Sequence, residues 1–174
     1  MVALGSPDFY LGNPTVLFVM IDTELTFTDE HGGLLVIMPS PLERMLTYRQ
    51  LGWLSTEAAG VLIGERRGPH LVVHQISEPG PGDIRRRCFV DRRGAHHQIA
   101  VEDAFISSSG ALQYLGEWHT HPEDSPLPSI TDLSTWQRHL IADDEQMALL
   151  IVGRKEIWGA KKRAGLIISL LKAH

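Results

Sequence analysis

Short apolar runs, each closed by glycine, proline or a charged residue, recur along this chain: TVLFVMID (15–22), GVLIG (60–64), HLVVHQIS (70–77), MALLIVG (147–153) and GLIISLL (165–171). Runs of this length bounded by turn residues suit buried strands. A membrane-crossing helix needs about 20 apolar residues in succession, and Ala148–Val152 and Leu166–Leu171, among the longest runs, fall far short. Elsewhere the apolar spacing turns helical. Leu42, Met45, Leu46, Leu51 and Leu54 predict a helix over 41–58, with Ser40 as N-cap and Pro41 at its first position. A short helix is predicted over 97–109 and a third over 132–142, opened by Thr131-Asp132. LTFTD (25–29) and GGLLVIMPS (32–40) read as a hairpin; RRCFV (86–90), YLGEWHTH (114–121) and IWGAKK (157–162) read as further strands. The expected fold class is mixed α/β, one sheet assembled from non-adjacent segments with helices packed on it. No repeat, low-complexity tract or long linker divides the 174 residues, so one domain over 1–174 is expected.

Composition narrows the function. A net charge of −5 gives no support to general nucleic-acid binding, although Arg85, Arg86, Arg87, Arg92 and Arg93 form a local basic patch. Cys88 is the single cysteine, which excludes an intrachain disulfide and a Cys-x-x-Cys zinc site. It lies among arginines that could lower its pKa, but no catalytic partner can be named, and a structural or incidental cysteine is the plainer reading. The N-terminal MVALGSPDFYLGNPTVLF has no basic segment followed by an unbroken apolar run, so a cytoplasmic protein without membrane attachment is expected.

Any metal must therefore be held by histidine and carboxylate, and HTHPEDSPLPSITD (119–132) offers both. Side chains alternate along a strand, so His119 and His121 point the same way while Trp118 and Thr120 face the other side. Pro122 ends the strand, and the proline-rich loop carries Asp132 back toward the histidines. Two imidazoles and a carboxylate leave one tetrahedral position for water, the arrangement of a hydrolytic zinc site. By itself a His-x-His pair beside a polar turn is more often a solvated loop. Glu117 shares the histidine face and stands open as a fourth ligand or a base; four protein ligands would make a closed structural site. The remaining histidines (31, 70, 74, 96, 97, 139 and 174) have no partners at metal spacing, and adjacent His96 and His97 would diverge on a strand.

The full spacing, His119-Thr-His121, seven residues, Ser129, two residues, Asp132, resembles the JAMM signature of the MPN+/JAB metallopeptidases. That family adds an upstream Glu-x-x-Gly-apolar-apolar-apolar-Gly segment, matched here by Glu57-Ala-Ala-Gly60-Val-Leu-Ile-Gly64. The resemblance spans about 50–171 and leaves the first forty residues outside its motifs. It implies a JAB/MPN-type, cytidine deaminase-like mixed sheet, zinc held by His119, His121 and Asp132, Glu57 as general acid–base and Ser129 as donor to the oxyanion. Glu57 is preferred to Glu117 because it matches the motif. The resemblance further implies cleavage beyond a C-terminal tail of the ubiquitin type, held extended by β-augmentation, with 86–93 and 122–128 as candidate groove segments. GEWHTHPEDSPLPSITDLSTW resembles a bacterial branch including the CD-NTase/cGAS isopeptidases of CBASS anti-phage operons, some labelled integrative and conjugative element proteins. By that resemblance the substrate is a CD-NTase joined through its C-terminus to another protein. A protease for a bacterial ubiquitin-like protein and a non-catalytic MPN scaffold are the alternatives; the complete ligand set speaks against the scaffold. A zinc nucleobase deaminase lacks its Pro-Cys-x-x-Cys half here.

Overall fold

The computed structural model describes residues 23–140 and 145–173. In chain order the elements are β1 (Leu25–Thr28), β2 (Leu34–Ile37), α1 (Pro39–Thr47), β3 (Ala59–Arg67), β4 (His70–Ile76), β5 (Ile84–Arg86), β6 (Phe89–Asp91), α2 (His96–Ser107), β7 (Gln113–Thr120), α3 (Ile130–His139), β8 (Met147–Val152), β9 (Ile157–Arg163), β10 (Leu166–Ser169) and β11 (Leu171–Lys172). One nine-stranded sheet runs β10-β9-β8-β7-β3-β4-β2-β1-β11, and β5 and β6 form a separate hairpin. The β2–β4 and β7–β8 pairs are parallel, so the sheet is mixed, as the sequence predicts. Among the described residues no helix is long and apolar enough to cross a membrane.

Pleating sorts each central strand between two cores. Leu62, Trp118 and Leu150 face α1, where Leu42 and Met45 meet them. Val61 and Ile63 turn to Ala104 of α2, while Leu149 and Ile151 turn to Trp136 of α3 and to Leu140 at its C-cap. Each fully buried leucine or isoleucine contributes about 1.5–3 kcal/mol, so helices on both faces are held mainly by this alternation. In β7 the alternation is reset once. Leu62 pairs with Gly116 and Ile63 with Tyr114, leaving Leu115 as an extra residue. Gly116 takes φ 145°, and a Cβ there would lie 1.9 Å from the Ala148 carbonyl oxygen. The bulge puts Leu115 and Trp118, three apart, in one core.

Two strands consecutive in sequence, β10 and β11, sit at opposite ends of the sheet order. Buried Leu170 bridges them: its amide donates to the Gly159 carbonyl, and Ala173 N–H reaches the Thr26 carbonyl. The sheet is therefore rolled until its two ends approach, as in a barrel.

Several boundaries differ from expectation. The strand expected at 15–22 lies outside the described residues. The first helix ends at Thr47 instead of 58, because Leu51 and Leu54, which fit the helical period, stand 72% and 89% exposed in a loop. Its N-cap is Met38, with Pro39 and Pro41 in the first turn, not Ser40. RRCFV is split by a turn at Arg87-Cys88 into β5 and β6, and 165–171 is divided by the crossing at Leu170.

Candidate metal centre

The end of β7 builds half of the centre. Its ladder with β8 sets His119 opposite Ile151, and His121 N–H continues the pairing onto the Val152 carbonyl. The loop after Pro122 is fastened to the turn beyond β8. Arg154 N–H donates to the Glu123 carbonyl, Lys155 and Glu156 N–H to the Asp124 carbonyl, and the Asp124 carboxylate pairs with Arg154 and Lys155. Gly153 lets Pro126 approach, since a Cβ there would lie 2.5 Å from the proline Cδ. The loop delivers Ser129 as the N-cap of α3 with Asp132 in its first turn, joined reciprocally: Asp132 N–H donates to Ser129 Oγ at 3.1 Å and Ser129 N–H to Asp132 Oδ2 at 2.7 Å.

The three residues meet as the sequence predicts. His119 Nε2 and His121 Nε2 are 3.0 Å apart, His119 Nε2 is 3.5 Å from Asp132 Oδ1, and His121 Nε2 is 3.4 Å from Asp132 Oδ2. Two facing imidazole nitrogens need a proton or a cation between them, and the nearby carboxylate favours a cation. One ligand atom from each residue lies within 4.8 Å of the others, so the group could hold a metal ion. Glu123 stands 3.1 Å from His121 Nδ1, an outer partner of the kind that orients a metal-bound imidazole. Trp136 packs its ring against His119 at 5.6 Å and backs the pair from α3.

Glu57 precedes β3 and extends its register. Ala59 pairs with His119, so two residues back Glu57 falls opposite His121 on the same face. Ala58 N–H donates to Thr120 Oγ1 and Thr120 N–H to the Ala58 carbonyl, both at 2.9 Å. The motif glycines that follow serve packing: a Cβ at Gly60 would lie 2.0 Å from the Ser77 carbonyl oxygen, and one at Gly64 1.9 Å from that of Val72. Glu57 is 7% exposed, and among the described residues no donor is hydrogen-bonded to its carboxylate. Burial pushes it up to about 7, opposed by His121 and helped by Asp132 and Glu123. Burial would also raise Asp132, but hydrogen bonds with His119, His121 and Ser129 hold it well below the usual carboxylate range. For His121 burial favours the neutral ring, and Asp132, Glu57 and Glu123 outweigh it, so its pKa is raised. Buried Glu57 and half-buried Asp132 are thus pushed in opposite directions, one toward holding a proton and one toward holding a cation.

Glu117 is engaged elsewhere. Its carboxylate forms an ion pair with Arg92, and it is not among the residues that converge on the histidine pair. The histidines outside the centre need a correction. His96 and His97 open α2, where neighbouring side chains do not diverge as on a strand; their rings lie 3.9 Å apart beside Asp83. Their donors also converge within 4.8 Å, but the nitrogens are already engaged: His96 Nε2 with the Glu78 carbonyl at 2.9 Å, His97 Nδ1 with Ser77 Oγ at 2.6 Å, His97 Nε2 with Asp83 at 3.0 Å. Asp83 also accepts from Gly80 and Gly94 N–H, so the group fastens both feet of the β5–β6 hairpin. A separate cavity of about 660 Å³, lined by Val101, Phe105, Ile106, Tyr114 and Met147 among others, shares no residue with the metal centre.

Sequence reasoning missed the supports behind the centre. Gln50, 2% exposed, accepts from the Thr120 hydroxyl through Oε1 and donates through Nε2 to the Ser55 and Arg87 carbonyls. Lys162 donates to the Trp136 and Leu140 carbonyls at the end of α3. Strand alternation signalled only that Thr120 points away from the histidines, where it is fully buried.

Residues 39–164 match the family model described as prokaryotic homologs of the JAB domain. A protein of Vibrio cholerae named CD-NTase/cGAS isopeptidase is 60% identical over 149 residues, covering 86% of this chain and 95% of the relative. A namesake from Escherichia coli is 52% identical over 139 residues, covering 80% and 88%. Another from Pseudomonas aeruginosa is 33% identical over 132 residues, covering 75% and 84%. The solution structure of DSY2949 from Desulfitobacterium hafniense shares the fold, with a TM-score of 0.56 at 20% identity over 76% of this chain and 87% of that one. The chain belongs to the prokaryotic JAB-domain family.

Proposed function

We propose that this protein is a zinc-dependent isopeptidase that releases proteins conjugated to the C-terminus of a CD-NTase, reversing a ubiquitin-like conjugation in cytoplasmic anti-phage (CBASS) signalling. The observation that carries the reading is a buried, unbonded carboxylate, Glu57, beside a His-His-Asp group. The names of the Vibrio and Escherichia relatives supply the substrate. Nitrogen and oxygen donors in this number fit zinc with one position left for water or substrate. His119, His121 and Asp132 would hold the ion, which lowers the pKa of bound water from about 16 to about 7 and polarises the scissile carbonyl.

The remaining work falls to the chain. Glu57 takes a proton from the attacking water and returns it to the leaving amine, a task suited to a carboxyl raised to about 7. Ser129 Oγ accepts the capping bond from Asp132 N–H, and its hydroxyl, beside the Asp132 carboxylate, would turn to donate to the tetrahedral oxyanion. The β5–β6 hairpin adjoins Glu57 and the 122–128 loop follows His121, so an extended tail between them would cross both catalytic groups. Purified protein should carry one equivalent of zinc at this centre and cut a CD-NTase fusion at the junction with its cargo. Glu57→Ala or a chelator should abolish cutting. Stoichiometric zinc with no cleavage of any CD-NTase or ubiquitin-like fusion refutes the enzyme.

A further inference from the structure

The segment that carries Glu57 is bound on both sides. Toward β7 it is held by the Ala58–Thr120 pair. Toward the β5–β6 hairpin Glu57 N–H donates to the Arg86 carbonyl at 2.8 Å. The matching bond on the carbonyl side comes from a side chain instead of a backbone amide. Arg85 Nε donates to the Glu57 carbonyl at 2.6 Å, and its terminal nitrogen reaches the Thr56 carbonyl at 3.4 Å. A planar guanidinium offers several donors in a fixed fork, which suits two consecutive carbonyls. Lysine would present a single flexible point donor there.

Arg85 is itself seated. Its guanidinium lies over the Tyr48 ring, 5.9 Å from the centroid. The Tyr48 hydroxyl donates to Glu78 at 2.6 Å, and Arg44 of α1 holds the same carboxylate through two nitrogens. The hairpin below is pinned at its feet by Asp83, and its Arg87 carbonyl is held by buried Gln50. A continuous hydrogen-bonded and stacked path thus runs from α1 through Glu78, Tyr48 and Arg85 to the backbone of Glu57. The Glu57 carboxylate has no bond of its own among the described residues, so its aim is set by its backbone and by packing.

We propose that Arg85 is a positioning residue for proton transfer, fixing the Thr56–Glu57 backbone so that the Glu57 carboxylate stays directed at the His119–His121–Asp132 group. This rests on the reading of Glu57 as the general base. It also gives the hairpin a second task. The element beside which the substrate tail is laid holds the base in register, so a disturbed hairpin costs turnover as well as binding. Misplacing a catalytic group by about 1 Å can cost about 100-fold in rate.

The test uses the full chain loaded with zinc, as wild type, Arg85→Met and Arg85→Lys. Arg85→Met keeps the stem and loses every donor. Its kcat on the CD-NTase fusion should fall at least 10-fold with KM within twofold and zinc content unchanged. Amide hydrogen exchange at Glu57 and Ala58 should quicken at least 10-fold. Arg85→Lys, able to serve one carbonyl, should fall between. Wild-type kcat, a raised KM with kcat intact, a kcat loss matched by equal loss of zinc, or unchanged exchange would each overturn the assignment. Should Arg85→Met fail to fold, Arg85→Lys is judged by the same criteria. Should wild type prove inactive, the function fails, and the exchange measurement still decides whether Arg85 fixes the Glu57 backbone.

Discussion

Replacing Ser129 separates the helix cap from the oxyanion role proposed for the same side chain. Its oxygen caps α3 by accepting Asp132 N–H at 3.1 Å, and in the proposed mechanism its hydroxyl donates to an oxyanion. Ser129→Ala loses both. An N-cap serine replaced by alanine costs about 1 kcal/mol, whereas glycine there costs only a few tenths. For a chain of this size 1 kcal/mol lowers Tm by about 2–4 °C. The reverse bond, from Ser129 N–H to Asp132 Oδ2 at 2.7 Å, uses the backbone and survives every substitution except proline, so Asp132 keeps one anchor. Loss of an oxyanion donor costs about 100- to 1,000-fold in kcat. The Ala and Gly variants should therefore lose kcat alike, by about two orders of magnitude or more, while differing in Tm. Ser129→Thr, which keeps hydroxyl and cap, should stay near wild type in both. Thermal melts with and without zinc, zinc content and kcat on the CD-NTase fusion read the two effects separately. A Ser129→Gly enzyme with near-wild-type kcat refutes the oxyanion role and reduces Ser129 to a helix cap.

Other outcomes follow from single contacts. Glu57 in the metal-free fold is raised from 4.5 to about 7, so the folded state binds its proton more tightly than the unfolded state. Metal-free stability then falls as pH rises through that window, and Glu57→Gln should stabilise metal-free protein at pH 8 by about 2–3 kcal/mol and little at pH 4. An equal difference at both pH values in urea denaturation counts against burial as the cause. In the proposed mechanism activity runs the other way, since Glu57 must be ionised to act as base: kcat/KM should fall as pH drops, with a midpoint below about 7 once an adjacent cation favours the carboxylate. Gly60→Ala puts a methyl against the Ser77 carbonyl, and denaturation should report a loss of about 3 kcal/mol, the upper end of ordinary overpacking. Lys162→Met removes donors from the Trp136 and Leu140 carbonyls at the end of the helix bearing Asp132. It should cost about 2 kcal/mol and weaken zinc binding in a chelator competition; unchanged affinity would mean that Asp132 is held by its own end of α3 alone.

What could be read in advance was local or periodic. His119 and His121 share a face because a strand has period two, and Asp132 was joined to them by the proline-rich loop and the resemblance to the JAMM signature. The hairpin at 25–40 and the strands at β3, β4, β8 and β9 were legible because buried runs were bounded by turn residues. Failures came where the chain departs from a period without a marker. Leu51 and Leu54 keep helical spacing but lie in an exposed loop. The turn at Arg87-Cys88 contains no glycine, proline or asparagine to announce it. The extra residue at Leu115 is visible only against its partner strand. His96 and His97 were compared with strand geometry although the helix predicted over 97–109 already took in His97, and the helix begins at His96. The role of Arg85 depends on a hairpin folding back over Glu57, 28 residues away in sequence, and composition could show only a basic patch.

The rolled sheet also has a consequence in time. Phe27 of β1 pairs with Lys172 of β11, and His121 completes its ladder only on Val152. Contacts so distant in sequence are made late and slow the search for the native state. As the chain leaves the ribosome, Glu57, His119, His121 and Asp132 all emerge before β8, whose Val152 carbonyl receives the His121 amide, and before β9 to β11. The group is therefore completed only when the last third of the chain has joined the sheet, with β8 beside β7 and β11 closing onto β1.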